Sequence, residues 1–283
     1  MTSDSRILQV INLNGKTAYN PTVPILHKGK KYLGLRVESF NSETDTKVLF
    51  AEEKENKLKI NYSIKSLKLQ DPAYVKIKKY ALILGVNVWK QNDKIEWKQD
   101  IYIGEDIENL EYFCSGPVGM KDIRLVDLND KIGVFTRPKG VIGGKGKIGY
   151  FEISTIDKLK KMSEQDWYKA QLIENMFNEE EWGGVNQAIR ISNSEINIIG
   201  HIAHQSINEK NELTKHYKAM NFKFNLITKE FTDFKIIAKR NVFPTSLSKR
   251  SPELDDVIFP AGIDNSNNLY CGISDYCVGK IKI

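Results

Sequence analysis

Ten polar residues of the 283-residue chain stand where five similar segments begin or end: Asn20, Arg36, Glu38, Asp71, Asn87, Asp122, Arg137, Asn186, His201 and Asp275. Carboxylates, two arginines and a histidine gathered at one place suit acid-assisted cleavage of a polar substrate. A carboxyl supplies the proton, and a cation positions an anion or a hydroxyl. Other chemistries lack their residues. There is no Gly-x-Ser-x-Gly elbow and no His-Glu-x-x-His, and the glycine-rich run 138–147 contains no Gly-x-Gly-x-x-Gly feeding a helix and no Gly-Lys-Ser/Thr.

What must bring these residues together is a repeat. Residues 20–38, 69–86, 121–137, 185–201 and 257–275 each read as a short apolar strand, a polar turn and a returning strand. Their openings, Pro21, Asp71, Asp122, Asn186 and Phe259, are 50, 51, 64 and 73 residues apart. Strand repeats of about 40–50 residues are the sequence signature of a β-propeller. Inner strands of a propeller line a central channel, so side chains at their ends converge on one mouth. The prediction is an all-β protein, a single five-bladed β-propeller over residues 1–283. Arg6 to Leu13 is expected to be a strand that closes the ring against the last blade, with Asn14-Gly15 as a type I′ hairpin turn. Ser154 to Phe177 has helical spacing and possible caps at Thr155 and Ser163, which predicts a short helical insertion between blades three and four.

With 41% hydrophobic and 28% charged residues the chain is ordinary for a globular protein. No apolar run approaches the ~20 residues of a membrane span, and the first residues lack the order of a signal peptide, so no membrane partner is expected and a cytoplasmic location is. The net charge of +6 is spread over strands and turns as a solvated face would be, which argues against nucleic acid. Cys114, Cys271 and Cys277 have no metal-type spacing and read as reduced thiols; no metal and no cofactor are called for.

Several of the site residues also have structural readings. Asp71-Pro72 can start a strand with its carboxylate on backbone N–H groups, and Arg36 with Glu38 can form a buried ion pair. His201 can be a hydrogen-bonded core histidine. Trp182, before Gly183-Gly184, is either a platform for a sugar ring or blade packing.

The order Asn20-Pro21, Arg36-Val37-Glu38, Asp71-Pro72, Lys121-Asp122, His201, Phe259-Pro260-Ala261-Gly262 and Gly272-Ile273-Ser274-Asp275 resembles the five-bladed propeller glycosidases and phosphorylases of glycoside hydrolase family 130. It is more similar still to the relatives grouped as domain of unknown function 1861, over about residues 15–283. That resemblance implies action mainly on β-mannosides, with an aspartate in a Glu-Asp-Pro-Arg motif protonating the glycosidic oxygen, in many members through a sugar hydroxyl. Here the segment reads Gln70-Asp71-Pro72-Ala73, which makes Asp71 the acid and replaces its flanking glutamate and arginine. Family phosphorylases hold phosphate with the lysine of a Lys-Asp motif and a His-Arg pair. Lys121-Asp122 keeps the lysine, and Thr136-Arg137 keeps the arginine alone.

The expected activity is therefore cleavage of a glycosidic bond in an oligosaccharide or glycoside, by hydrolysis or by inverting phosphorolysis with inorganic phosphate as co-substrate. Hydrolysis would take its base from Asp122, Glu38 or Asp275. Substrate contacts are expected from Asn20, Arg36, Asn87, Trp182, Asn186, His201 and Asp275, and phosphate contacts from Lys121 and Arg137. The other reading is a non-catalytic propeller that binds a glycan or a protein partner.

Overall fold

The computed structural model describes residues 4–42 and 44–283. A first strand, β1 (Arg6–Ile11), is followed by a sheet of β2 (Thr17–Pro21), β3 (Ile25–His27), β4 (Lys30–Glu38), β5 (Lys47–Lys54) and β6 (Lys57–Ile60). The second sheet holds β7 (Gln70–Ile77), β8 (Tyr80–Gln91), β9 (Lys94–Gly104) and β10 (Glu111–Val118). The third holds β11 (Arg124–Asp127), β12 (Ile132–Thr136), β13 (Gly149–Ile153) and β14 (Gln171–Leu172). In the fourth are β15 (Trp182–Arg190), β16 (Glu195–Ile207), β17 (Leu213–Asn225) and β18 (Phe231–Ala238). The fifth contains β19 (Asp256–Ile263), β20 (Asn268–Ile273) and β21 (Cys277–Lys282), and β1 returns as its outer strand.

Within each sheet, successive strands pair antiparallel. The first strands lie against one another in the cyclic order β2, β7, β11, β15, β19 and back to β2. The hydrophobic core is divided in the same way, with each cluster filling the seam between two neighbouring sheets. Leu82, Leu84 and Ile101 of the second sheet meet Leu125 and Val134 of the third, and Phe135 and Tyr150 of the third meet Phe222 and Phe224 of the fourth. Sheets packed face to face around an axis, each buried on both sides, form a propeller.

β1 closes the ring. Its first half pairs antiparallel with β21, from Arg6 opposite Lys280 to Leu8 opposite Val278, and its second half pairs parallel with β6, from Gln9 opposite Lys57 to Ile11 opposite Lys59. One strand thus ties the last sheet to the first. Asn14 (φ 52°) and Gly15 (φ 78°) have the backbone of the expected turn, but the strands they join do not pair with each other, β1 lying against β21 and β6 and β2 against β4, so no hairpin forms there. The helical insertion also has a different place from the expected one. A 3₁₀ helix (Ile156–Lys161) and a short α-helix (Glu164–Tyr168), started by a Ser163–Asp166 capping box, precede β14, which pairs with β13. They are therefore inserted inside the third sheet, ahead of its last strand. Ala170 and Ile173 flank β14 and Phe177 lies in a bend beyond it, so chain pairing overrides helical spacing there.

Leu8 is buried in the seam with Leu35, Tyr270 and Val278, whereas Gln9 beside it is exposed. Leu8→Ala should cost about 2–5 kcal/mol and lower Tm by several degrees, and Gln9→Ala should stay within about 0.5 kcal/mol, both read by thermal and urea denaturation. Equal effects of the two would contradict ring closure by β1.

Candidate active site

The site is built from irregularities at the start of the inner strands. Pairing between first and second strand slips between Tyr19 and Pro21, between Gln70 and Ala73, between Val185 and Gln187, and between Pro260 and Gly262. Asn20 (φ 43°) and Asp71 (φ 46°) sit in two of these bulges, and Asp122 (φ 59°) takes the same left-handed backbone just before β11. Asn and Asp are the side-chain-bearing residues that best tolerate this conformation, and a bulge re-aims the side chain it carries. Polar groups from successive sheets meet as a result: Asn20 Nδ2 donates to Asp71 Oδ1 at 2.8 Å. A Cβ on Gly272 would sit 1.8 Å from Asn20 Oδ1, so only glycine leaves room for this residue.

Above this ring is a cavity of about 200 Å³. Five cations line it: Arg36, Lys121, Arg137, Lys215 and Arg250. Its carboxylates are Asp71 and Asp275, its neutral polar groups include Asn20 and Gln70, and Tyr217, Leu254, Val257 and Phe259 form an apolar side. Each buried arginine has a carboxylate behind it. The Arg36 guanidinium donates to Glu38 through Nε (3.1 Å) and a terminal nitrogen, and to Asp71 Oδ1 at 3.1 Å. Glu38 has no exposed surface and also takes the Tyr19 hydroxyl and the Lys249 ammonium.

On the other side Arg137 donates to Asp122 Oδ2 at 2.5 Å, and its same nitrogen faces His201 Nε2 at 3.4 Å. His201 Nδ1 lies 2.8 Å from Asn186 Oδ1; the amide oxygen can only accept, so Nδ1 carries the proton and Nε2 presents its lone pair to the guanidinium. Burial pushes the imidazole down to about 3, so it is neutral. Arg124, beneath the cavity, stands 3.8 Å from Asp122 and donates to the backbone oxygens of Asn186 and Ile123.

The two cavity carboxyls are set apart by their surroundings. Burial raises Asp71, but the Arg36 and Lys121 charges and the Asn20 amide outweigh it and hold the group below the usual carboxylate range. Burial raises Asp275, and the charge of Asp71 adds to this, so it keeps its proton to higher pH. Lys121, half-buried, forms no hydrogen bond or ion pair among the described residues, whereas Lys215 and Arg250 both reach Glu253.

Of the residues picked out in the sequence, Asn20, Arg36, Asp71, Lys121, Arg137 and Asp275 line the cavity. Glu38 and Asp122, the expected bases, do not line the cavity: each is almost fully buried behind an arginine that donates to it. Asn186 and His201 likewise stand behind Arg137 and do not line the cavity. Trp182 is buried and donates to the Tyr217 hydroxyl at 3.0 Å, its ring edge-on to that tyrosine, so it supports Tyr217 and does not offer a stacking face. Asn87 falls outside the cavity because β8 runs on to Gln91; its amide donates to Asp100 at 2.8 Å. Lys215, Tyr217 and Arg250 also line the cavity but carry no repeat signal, since they lie on β17 and on the stretch before β19, outside the repeated hairpins. The Lys249-Arg250 pair just ahead of the last inner strand was the one available signal.

No curated protein sequence matches this chain. Solved structures do. A mannose phosphorylase from Leishmania mexicana, MPT-4, determined in complex with phosphate ion, is 28% identical, with a TM-score of 0.89 over 100% of this chain and 88% of that one. A GDP-Man-dependent mannosyltransferase from the same organism, MPT-1, is 30% identical, with a TM-score of 0.90 over 100% of this chain and 89% of that one. The β-1,2-mannobiose phosphorylase of Listeria innocua shares the fold at 14% identity, with a TM-score of 0.66 over 95% of this chain and 90% of that one. The chain belongs to the family of proteins of unknown function DUF1861, whose model matches residues 1–283.

Proposed function

We propose that the protein is a glycoside phosphorylase that cleaves a mannoside with inorganic phosphate and inverts the anomeric centre, the whole chain acting as one domain. The observation that carries this reading is the charge of the cavity: Arg36, Lys121, Arg137, Lys215 and Arg250 face two carboxyls, of which Asp275 resists ionisation. Such a site attracts an anion. Hydrolysis is less well served, because Asp122 and Glu38 are committed to arginines and leave only the Asp71–Asp275 pair to supply both acid and base. The 28% and 30% identical neighbours, a mannose phosphorylase with phosphate and a mannosyltransferase, support phosphate and a mannosyl group as the ligands.

In this scheme Lys121 and Arg137, with Lys215 and Arg250 near them, hold the phosphate. Asp122 and the His201 lone pair fix the Arg137 guanidinium, so its position needs no rearrangement when the anion arrives. A phosphate oxygen forms a bond to the anomeric carbon as the bond from that carbon to the glycosidic oxygen breaks on the opposite face. The leaving oxygen keeps the electron pair and takes a proton, giving the sugar 1-phosphate and the shortened alcohol. The Asp71–Asp275 pair supplies that proton; opposed shifts in neighbouring carboxyls are the usual mark of an acid and its charged partner. Before substrate binds, Asp275 keeps its proton to higher pH than Asp71, which is ionised against Arg36; with a sugar bound, Asp71 accepts from a sugar hydroxyl and the proton of Asp275 is the one passed to the leaving oxygen.

Incubation with manno-oligosaccharides should give mannose 1-phosphate only when phosphate is present, read by phosphorus NMR. Free mannose in equal amount with and without phosphate would make the protein a hydrolase, and no product from folded protein would favour a binding module. Asp71→Asn and Asp275→Asn should each lower kcat by about 10²–10⁴. A dinitrophenyl mannoside, whose leaving group needs no proton, should rescue Asp275→Asn and not Asp71→Asn. Because Asp275 must be protonated, activity should be present below its raised pKa and fall as pH rises through it; a profile without that alkaline limb would remove Asp275 as the proton's resting place.

A further inference from the structure

The end of the propeller away from the cavity carries a second cluster of chemistry-bearing side chains. His27 closes β3 and pairs with Lys30, six residues of strand from Arg36, about 20 Å at ~3.3 Å per residue. From the second sheet, the turn after β9 brings Asp106 and Glu108 to it. One ligand atom from each of the three residues lies within 4.8 Å of the others.

Each of the three is held in place with one atom left over. The His27 ring is only 7% exposed and packs edge-on against Tyr32 at 6.1 Å. Asp106 Oδ1 accepts from the backbone N–H groups of Glu108 and Asn109, which leaves Oδ2. Lys28 occupies Glu108 Oε2 at 2.5 Å, which leaves Oε1. Between the two carboxylates Ile107 is buried in the same apolar seam as Ile25 and Tyr32, so the turn cannot swing away.

His27 Nε2 is buried without a hydrogen-bond partner, yet lies 3.0 Å from Glu108 Oε1, and Nδ1 is 3.9 Å from Asp106 Oδ2. With the imidazole proton on Nδ1 the Nε2 lone pair faces the Glu108 carboxylate, a repulsive approach that either a proton on Nε2 or a cation bound by both atoms relieves. We propose that His27, Asp106 and Glu108 bind a divalent first-row cation, zinc being the best match, that staples the first sheet to the second. One imidazole nitrogen and two carboxylate oxygens suit zinc, with water completing the coordination; calcium and magnesium prefer all-oxygen sets. At this distance from the cavity the ion is structural, and it adds to stability by binding the folded chain alone.

The test uses tag-free, chelator-treated protein titrated with zinc chloride by calorimetry, with Tm followed in parallel. One zinc per chain and a rise in Tm are expected. Asp106→Asn and Glu108→Gln, half-exposed and tolerant positions, should each weaken binding at least about tenfold while leaving phosphorolysis unchanged. Cobalt(II) should give a visible absorption band that both variants lose. Absence of saturable zinc binding, or binding that both variants keep, would overturn the proposal; a Tm that responds to acidification and not to zinc would identify a proton on His27 as the cation instead.

Discussion

A guanidinium can be kept beside a small, largely buried cavity only if a carboxylate stands behind it, because an unpaired buried charge costs several kcal/mol. Arg36 and Arg137 meet this condition in parallel ways, the first on Glu38 and the second on Asp122. The supports are themselves supported. Glu38 takes the Tyr19 hydroxyl and Lys249, and Asp122 is flanked by Arg124 and by His201, whose ring is set by Asn186. Positive charge can then be presented on the cavity side without the arginines folding back onto solvent or onto each other.

That arrangement requires the ring. Arg36 and Glu38 come from β4, Asp71 from β7, Arg137 follows β12, His201 is on β16 and Lys249 precedes β19. Residues so far apart in sequence meet because the inner strands are in cyclic contact and β1 fastens the last sheet to the first. The bulges do the rest, turning Asn20 and Asp71 out of strand alternation so that neighbouring sheets hydrogen-bond to each other.

The strands and their order were legible because apolar alternation and the turn residues repeat five times, and local chemistry decides both. The place of the helices was not, since only the pairing of Gln171–Leu172 with β13 puts the insertion inside the third sheet. At the site, residue type and position found most of the cavity polar groups but could not rank them by depth. Glu38 and Asp71 look alike in sequence; burial beneath Arg36 makes one a support, and a bulge makes the other a cavity wall. Trp182 and Asn87 went astray for the same reason, as the direction of each side chain depends on how far its strand runs and what packs against it. Lys215 and Arg250 reach the cavity from outside the repeat and carried no periodic signal.

A cavity with more cations than ionised carboxylates, rigid before ligand arrives, should bind its anion without substrate present. Calorimetric titration of the substrate-free protein with inorganic phosphate addresses that claim directly. Saturable binding of one phosphate per chain, weakened by added salt and at least about tenfold weaker in Lys121→Ala, whose side chain makes no ion pair among the described residues, is the predicted result. A folded protein that binds no phosphate, or binds it equally well after Lys121→Ala, would contradict the account.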